Sequence, residues 1–334
     1  MFFSKRKTVN EELVSLHLPY PDKEDRLVRV YVPEHKKGEK LPVIYMTDGQ
    51  SIFDEESNPW GCWHTREAVK AEYESSGRKA IIVGIHSPRH PLLRTNELTP
   101  KSIGSITLPE IPPPMPEGMP PMPEGMPPMT EGMPPMPEGM PPMPEGMPPM
   151  TEGMPPMPEG AQMTPEMLTQ MMEEMQKMFS PEGEIFDNFL IKTVMPEVEA
   201  KFPVKKGRAN TAICGSSSGG LESFYIALVH PERFCAAGIF SPAFIFYSTD
   251  DIKTWVKNSL QKKTPFLYIY CGQGEEKEKE MCDQAKPIFD LLKDSLPQKM
   301  IKEVILPDAI HNESAWEPIF KDFLHIFLTE GKKF

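Results

Sequence analysis

The chain has 334 residues, 39% of them hydrophobic and 25% charged, with a formal net charge of −12 at pH 7. That length is enough to bury the core of one large α/β domain, and an acidic chain of this kind has nothing to attract nucleic acid or an anionic membrane. Part of the acidity is local: seven glutamates lie in one repetitive block, 112–160, that has no lysine or arginine.

The N-terminus carries basic residues but no apolar stretch leading to a small-residue cleavage site, so no secretory signal is expected. No segment is long and apolar enough to span a bilayer. The five cysteines, at 62, 214, 235, 271 and 282, are an odd number in no metal-ligand spacing. They read as reduced, buried thiols of a cytoplasmic protein.

Taken in chain order, LVSLHL (13–18) and LVRVYV (27–32) alternate as half-buried strands do and flank the turn-rich PYPDKED, which predicts an antiparallel N-terminal edge. The continuous apolar runs PVIYM (42–46) and AIIVGI (80–85) bracket a helix-like segment, 65–77, the pattern of parallel strands buried on both faces. The alternation resumes with helix 185–201, strand 209–214, helix 220–229, strand 234–240, helix 250–262, strand 265–271, helix 277–293, strand 300–306 and helix 314–328. This order specifies a mostly parallel, doubly wound sheet. The domain therefore comes in two halves, 1–104 and 181–334, separated by a low-complexity insert, 105–180.

The insert repeats the heptad MPPMPEG or MPPMTEG, and proline and glycine at that density forbid helix and strand. A disordered, polyproline-like tether is expected, followed by a Met-rich helix at 167–179. Pairs such as Met119 with Met122 could offer thioethers to Cu(I), and the prolines could offer a ligand to an aromatic groove. With no histidine or cysteine in the repeat, the spacer reading is preferred.

The chemistry centres on Gly215-Ser216-Ser217-Ser218-Gly219-Gly220, where only Ser217 has glycines at both −2 and +2. A predicted strand runs into the motif and a predicted helix leaves it, as a nucleophile elbow requires. A serine hydroxyl needs a base at neutral pH. His311 follows the last predicted strand, where this fold places one. Glu275 and Glu276 follow the strand before it; Glu275 is the first choice for the triad acid, Glu276 the second and Asp308 a weaker third. The oxyanion donors expected are the backbone amides of Ser218 and of Gln50, in YMTDGQSIFD after an early strand. Asp48 is placed to pin that loop. Trp60, Trp63, Arg94 and Phe244 are candidate rim residues, each with a structural role as the plainer reading.

With these residues in place, the chain resembles the esterase family of α/β hydrolases that groups esterase D, enterochelin esterases, ferulic acid esterases and mycolyl transferases. The markers are YMTDGQSIFD (45–54), VGIHSP (83–88), RTNELTP (94–100), CGSSSGGLES (214–223), HPERFCAAGIFSPAF (230–244), CGQGEE (271–276) and HNESAWEP (311–318). The resemblance implies an α/β-hydrolase fold and ester cleavage through an acyl-enzyme on Ser217. It also implies His311 as base, Glu275 as acid and the Gln50 and Ser218 amides as oxyanion hole. No cofactor or metal is implied, and the expected partner is a small-molecule ester substrate. The repeat interrupts the segment after RTNELTP, which in relatives contributes to the active-site rim. Two other readings remain: a non-catalytic scaffold whose repeat binds a partner or Cu(I), and an acyltransferase with a non-water acceptor.

Overall fold

A computed structural model describes residues 7–54, 61–106, 177–260 and 263–334. The predicted tether 112–160 and nearly all of the Met-rich helix 167–179 lie outside the described residues.

Strands β1 (Thr8–Val9) and β4 (His35–Lys36) form a small antiparallel pair. The main sheet contains β2 (Glu12–Leu18), β3 (Arg26–Val32), β5 (Val43–Met46), β6 (Ile81–Ile85), β7 (Thr211–Ser216), β8 (Ala236–Phe240), β9 (Phe266–Gly272) and β10 (Ile301–Leu306). Their order across it is β10-β9-β8-β7-β5-β6-β3-β2. The strands from β10 to β6 pair in parallel, whereas β3 pairs antiparallel with both β6 and β2. This is the mostly parallel sheet with an antiparallel N-terminal edge that the hydrophobic pattern predicts.

Side chains alternate across the sheet and divide the core into two layers. Val43, Tyr45, Ile213, Leu267 and Ile269 face one layer. Their neighbours Ile44, Met46, Ala212, Phe266 and Tyr268 face the other. The helices are α1 (Thr65–Ser76), α2 (Pro91–Glu97), α3 (Gly183–Phe189), α4 (Met195–Lys201), α5 (Ser218–Val229), α6 (Thr249–Ser259), α7 (Glu276–Ser295) and α8 (Glu313–Glu330). Residues of α3 to α7 fill the first layer, and residues of α1 and α8 fill the second.

Helix α2 and the β1–β4 pair had no sequence prediction. The single helix predicted at 185–201 is α3 and α4 joined through a π-helical turn, Leu190–Val194. All five cysteines are buried, and Cys62 accepts the His64 N–H on its sulfur at 3.3 Å. Among the described residues no helix is long and apolar enough to cross a membrane.

Candidate active site

Strand β7 runs directly into Ser217, which caps α5 with φ 58° and ψ −127°. A non-glycine residue in that region is strained and persists only where its surroundings over-determine it. The constraints are visible: the Ser217 N–H donates to the Phe240 carbonyl at 2.9 Å, and the Ser217 carbonyl accepts from Ala243 N at 3.1 Å. The two motif glycines are required by close approach. A Cβ on Gly215 would lie 2.4 Å from Thr47 Oγ1, and one on Gly219 would lie 2.1 Å from the same atom. The Ser218 N–H, at the first position of α5, has no acceptor within its helix and is available to a developing oxyanion.

The loop after β5 supplies the opposing side. Asp48 adopts a left-handed conformation, φ 54° and ψ 47°, and leads into the 3₁₀ turn Gly49–Ser51 that contains Gln50. Arg94 grips Asp48 with a two-pronged ion pair, Nε to Oδ1 at 2.6 Å and Nη2 to Oδ2 at 2.8 Å, and its Nη2 also reaches the Ser216 carbonyl at 3.5 Å. The Gln50 side chain donates to Asp48 at 3.3 Å and accepts from Ser87 N at 3.1 Å. Burial works against the Asp48 charge, but the neighbouring guanidinium and its hydrogen bonds outweigh it and hold the carboxyl below the usual carboxylate range. Arg94 is thus a pin between the Asp48 loop and the turn at Ser216–Ser217.

Of the other rim candidates, Trp63 is 2% exposed and stacks on Phe240 at 5.3 Å, and Phe244 is 1% exposed and meets Phe224 edge-on at 5.3 Å. Both belong to the core. Trp60 lies outside the described residues.

His311 sits between β10 and α8. Its Nδ1 is 2.5 Å from Glu278 Oε2, with side-chain exposures of 6% and 0%. Glu275, the residue expected to orient the imidazole, instead accepts the backbone N–H of His311 at 3.0 Å. The acid position therefore moves by three residues. Glu275 is only the N-cap of α7, while Glu278 lies in the first turn of that helix on its buried face. The carboxylate of Glu278 also accepts from Gly272 N at 2.6 Å and from the hydroxyl of Ser241. The ring's ion-pair partner is Glu278, and not Glu276 or Asp308.

These loops share one end of the sheet. Ser217, Glu278 and His311 follow β7, β9 and β10, and the Asp48 loop follows β5, all at the carboxyl ends of parallel strands. Ligands bind outside this end in open α/β sheets. The negative charge of Glu313, the first residue of α8, adds to that of Asp48 in favouring the charged form of Arg94. A carboxylate only accepts, so an ionised Glu278 leaves the proton on Nδ1 and the lone pair on Nε2. The arrangement offers a strained serine, an oriented base and two candidate amide donors.

The fold and these loops define an α/β hydrolase of the esterase type. The chain matches the family described as Putative esterase over residues 22–91 and 172–322, and it belongs to that family. It is 30% identical over 96 residues to an endo-1,4-beta-xylanase/feruloyl esterase of Xylanibacter ruminicola, a match covering 29% of this chain and 12% of that relative's length. Among solved structures, a siderophore hydrolase of Aspergillus nidulans superposes with a TM-score of 0.58 at 16% identity, over 94% of each chain. A ferulic acid esterase superposes with a TM-score of 0.56 at 12% identity, covering 96% of this chain and 98% of that one. At these identities the structural likeness shows the fold.

Proposed function

We propose that this chain is a serine esterase that cleaves small-molecule carboxylic esters through an acyl-enzyme on Ser217. The observation that carries the reading is the buried His311–Glu278 pair, which follows the same sheet end as a serine strained at a strand-to-helix turn. In the first step Ser217 Oγ bonds to the ester carbonyl carbon while its proton passes to His311 Nε2, and the carbonyl electron pair moves onto oxygen. The Gln50 and Ser218 amides receive that oxyanion. Collapse re-forms the carbonyl and breaks the bond to the alcohol, which leaves with the proton from His311. Water then repeats the sequence on the acyl-enzyme, releasing the acid and restoring Ser217.

Glu278 takes the role first expected of Glu275, keeping Nδ1 protonated and stabilising the imidazolium. The feruloyl esterase relative and the esterase family support esters as the substrate class. The buried thiols of Cys214, Cys235, Cys271 and Cys282, none in a disulfide, support a reducing, cytoplasmic setting.

The test is hydrolysis of p-nitrophenyl acetate and butyrate by the full chain and by Ser217→Ala, with covalent labelling by a fluorophosphonate. Activity and labelling should both disappear in the variant. A wild type inert to substrates and probe, or a variant that keeps its activity, would overturn the reading.

A further inference from the structure

The hydrogen bonds into Glu278 extend beyond its immediate partners. Ser241, which donates to Glu278 Oε1, accepts in turn from the indole Nε1–H of Trp316 at 3.1 Å. An indole nitrogen donates only, and a serine hydroxyl carries one proton. With its oxygen occupied by the indole donor, the hydroxyl of Ser241 has to point its proton at the carboxylate. Oε1 takes a second donor from Gly272 N at 2.6 Å, which leaves Oε2 for the imidazole. Each of these partners donates, so each is met by a carboxylate oxygen of Glu278 that accepts.

We propose that Ser241 and Trp316 are positioning residues for the triad acid, forming a one-way relay from indole to hydroxyl to carboxylate that keeps Glu278 aimed at His311. The proposal rests on the reading of Ser217, His311 and Glu278 given above.

Three further features support it. Ser241 is fully buried with φ 44°, a left-handed conformation unfavourable for serine, and its N–H is tied to the Tyr270 carbonyl at 2.7 Å. Trp316 is 4% exposed and meets the His311 ring edge-on, with centroids 5.0 Å apart and planes at 85°. Its ring also packs 5.9 Å from Trp63, which lies flat on Phe240, the residue before Ser241. The stack of Trp316, Trp63 and Phe240 therefore holds the indole and the backbone just before Ser241.

Loss of the Ser241 donor concentrates the carboxylate charge on Oε2, strengthens its hold on the imidazolium and raises the pH at which His311 titrates. The remaining ionisable groups around the pair are Tyr270 and Cys271 on β9, Cys282 on α7, Glu275 and Asp308 on the adjoining loops, and Glu313 on α8 with Arg94 and Asp48 beyond it. All are retained in the variants, so their contributions cancel in the comparison.

The deciding experiment follows the His311 imidazole signals by NMR across pH in the full chain, assigned by their loss in His311→Gln. Ser241→Gly suits the test because glycine adopts the left-handed conformation without strain. Trp316→Phe keeps a ring against His311 and removes only the donor. Ser241→Gly should raise the His311 titration midpoint by about half a pH unit, about threefold in proton affinity. Trp316→Phe should give a smaller shift of the same sign, and the double variant should match Ser241→Gly alone because the two act in series. The acid limb of kcat/KM should move in the same direction.

Superimposable titrations of wild type and Ser241→Gly, or shifts that add in the double variant, would overturn the relay. An inert wild type would refute the proposed esterase while the NMR titration still decides the relay. Conversely, Ser217-dependent activity with unmoved titrations would refute the relay alone.

Discussion

Exchanging Glu278 for glutamine replaces one carboxylate oxygen by an amide nitrogen and changes little else. Oε1 can still accept from Gly272 N and Ser241, so the amide NH₂ takes the place of Oε2, 2.5 Å from His311 Nδ1. A donor there forces Nδ1 to accept, which moves the imidazole proton to Nε2 and leaves Ser217 without a base. The worked case of a triad acid changed to its amide loses about 10⁴ in kcat for this reason, and on the usual conversion of about 1.4 kcal/mol per decade that is about 5.5 kcal/mol of barrier. Glu275→Gln is the control. It keeps an oxygen to accept the His311 N–H at 3.0 Å, and a surface hydrogen bond weakened by loss of charge is worth about 1 kcal/mol, less than tenfold in rate. Steady-state kinetics on p-nitrophenyl butyrate, with circular dichroism to verify folding, separates the two. If Glu275→Gln lost the activity and Glu278→Gln kept it, the assignment of the triad acid would be wrong.

Two other perturbations read different parts of the structure. Arg94→Lys exchanges the two-pronged contact with Asp48 for a single point charge, and should lower kcat about tenfold with little change in KM by displacing the Gln50 amide; a change confined to KM would refute that role. Glu222 is fully buried on α5 with no hydrogen-bond partner for either carboxyl oxygen, and burial, followed by the charges of Asp187, Glu184 and Glu97, raises its pKa well above the ordinary value. Its folded form holds a proton that the unfolded chain gives up near pH 4.3, so its contribution to stability is complete below that pH and falls by about 1.4 kcal/mol per pH unit above it, until the folded pKa is passed. Glu97, raised to about 7 by burial against the opposing pull of Arg26, adds a second loss of the same sign up to about pH 7. Thermal unfolding from pH 5 to 8 should therefore show declining stability, with a shallower decline in Glu222→Gln; an unchanged slope in that variant would refute the account.

The sheet was legible because period-2 alternation and continuous apolar runs are strong signals over five to seven residues, and Ser217 was legible because the elbow couples glycine spacing to a strand-to-helix change. The carboxylate that meets His311 was not, since proximity in sequence to the end of β9 favoured Glu275. A usable signal was nevertheless present in the helical period. Within EEKEKEMC, Glu278 is spaced to share a face with Met281, Cys282, Ala285, Ile288, Phe289 and Leu292, all buried. A carboxylate on an apolar stripe needs buried partners, whereas its neighbours in the charge run meet water. Arg94 was legible only as a rim candidate and Ser241 not at all, because their partners Asp48 and Glu278 lie 46 and 37 residues away in sequence.

The four residues RTNE on the short helix α2 show how one segment serves site and scaffold together. Arg94 pins Asp48, the Thr95 carbonyl accepts from Thr99 Oγ1 at 2.6 Å, and Glu97 takes the Arg26 guanidinium at 2.6 Å. Asn96 holds the returning chain, accepting Ser180 N at 3.0 Å on its side chain, donating to the Met178 carbonyl at 3.0 Å and accepting Glu182 N at 2.6 Å on its own carbonyl. Glu184 adds the N–H groups of Lys101 and Ser102 at 3.1 and 2.8 Å, and Gly183 N reaches the Thr99 carbonyl at 3.0 Å. Residues 96–102 and 178–184 are thus stitched together independently of what connects them. Arg94, which fixes the Asp48 loop, stands two positions from Asn96, so the short helix that joins these two segments also holds the turn beside Ser217.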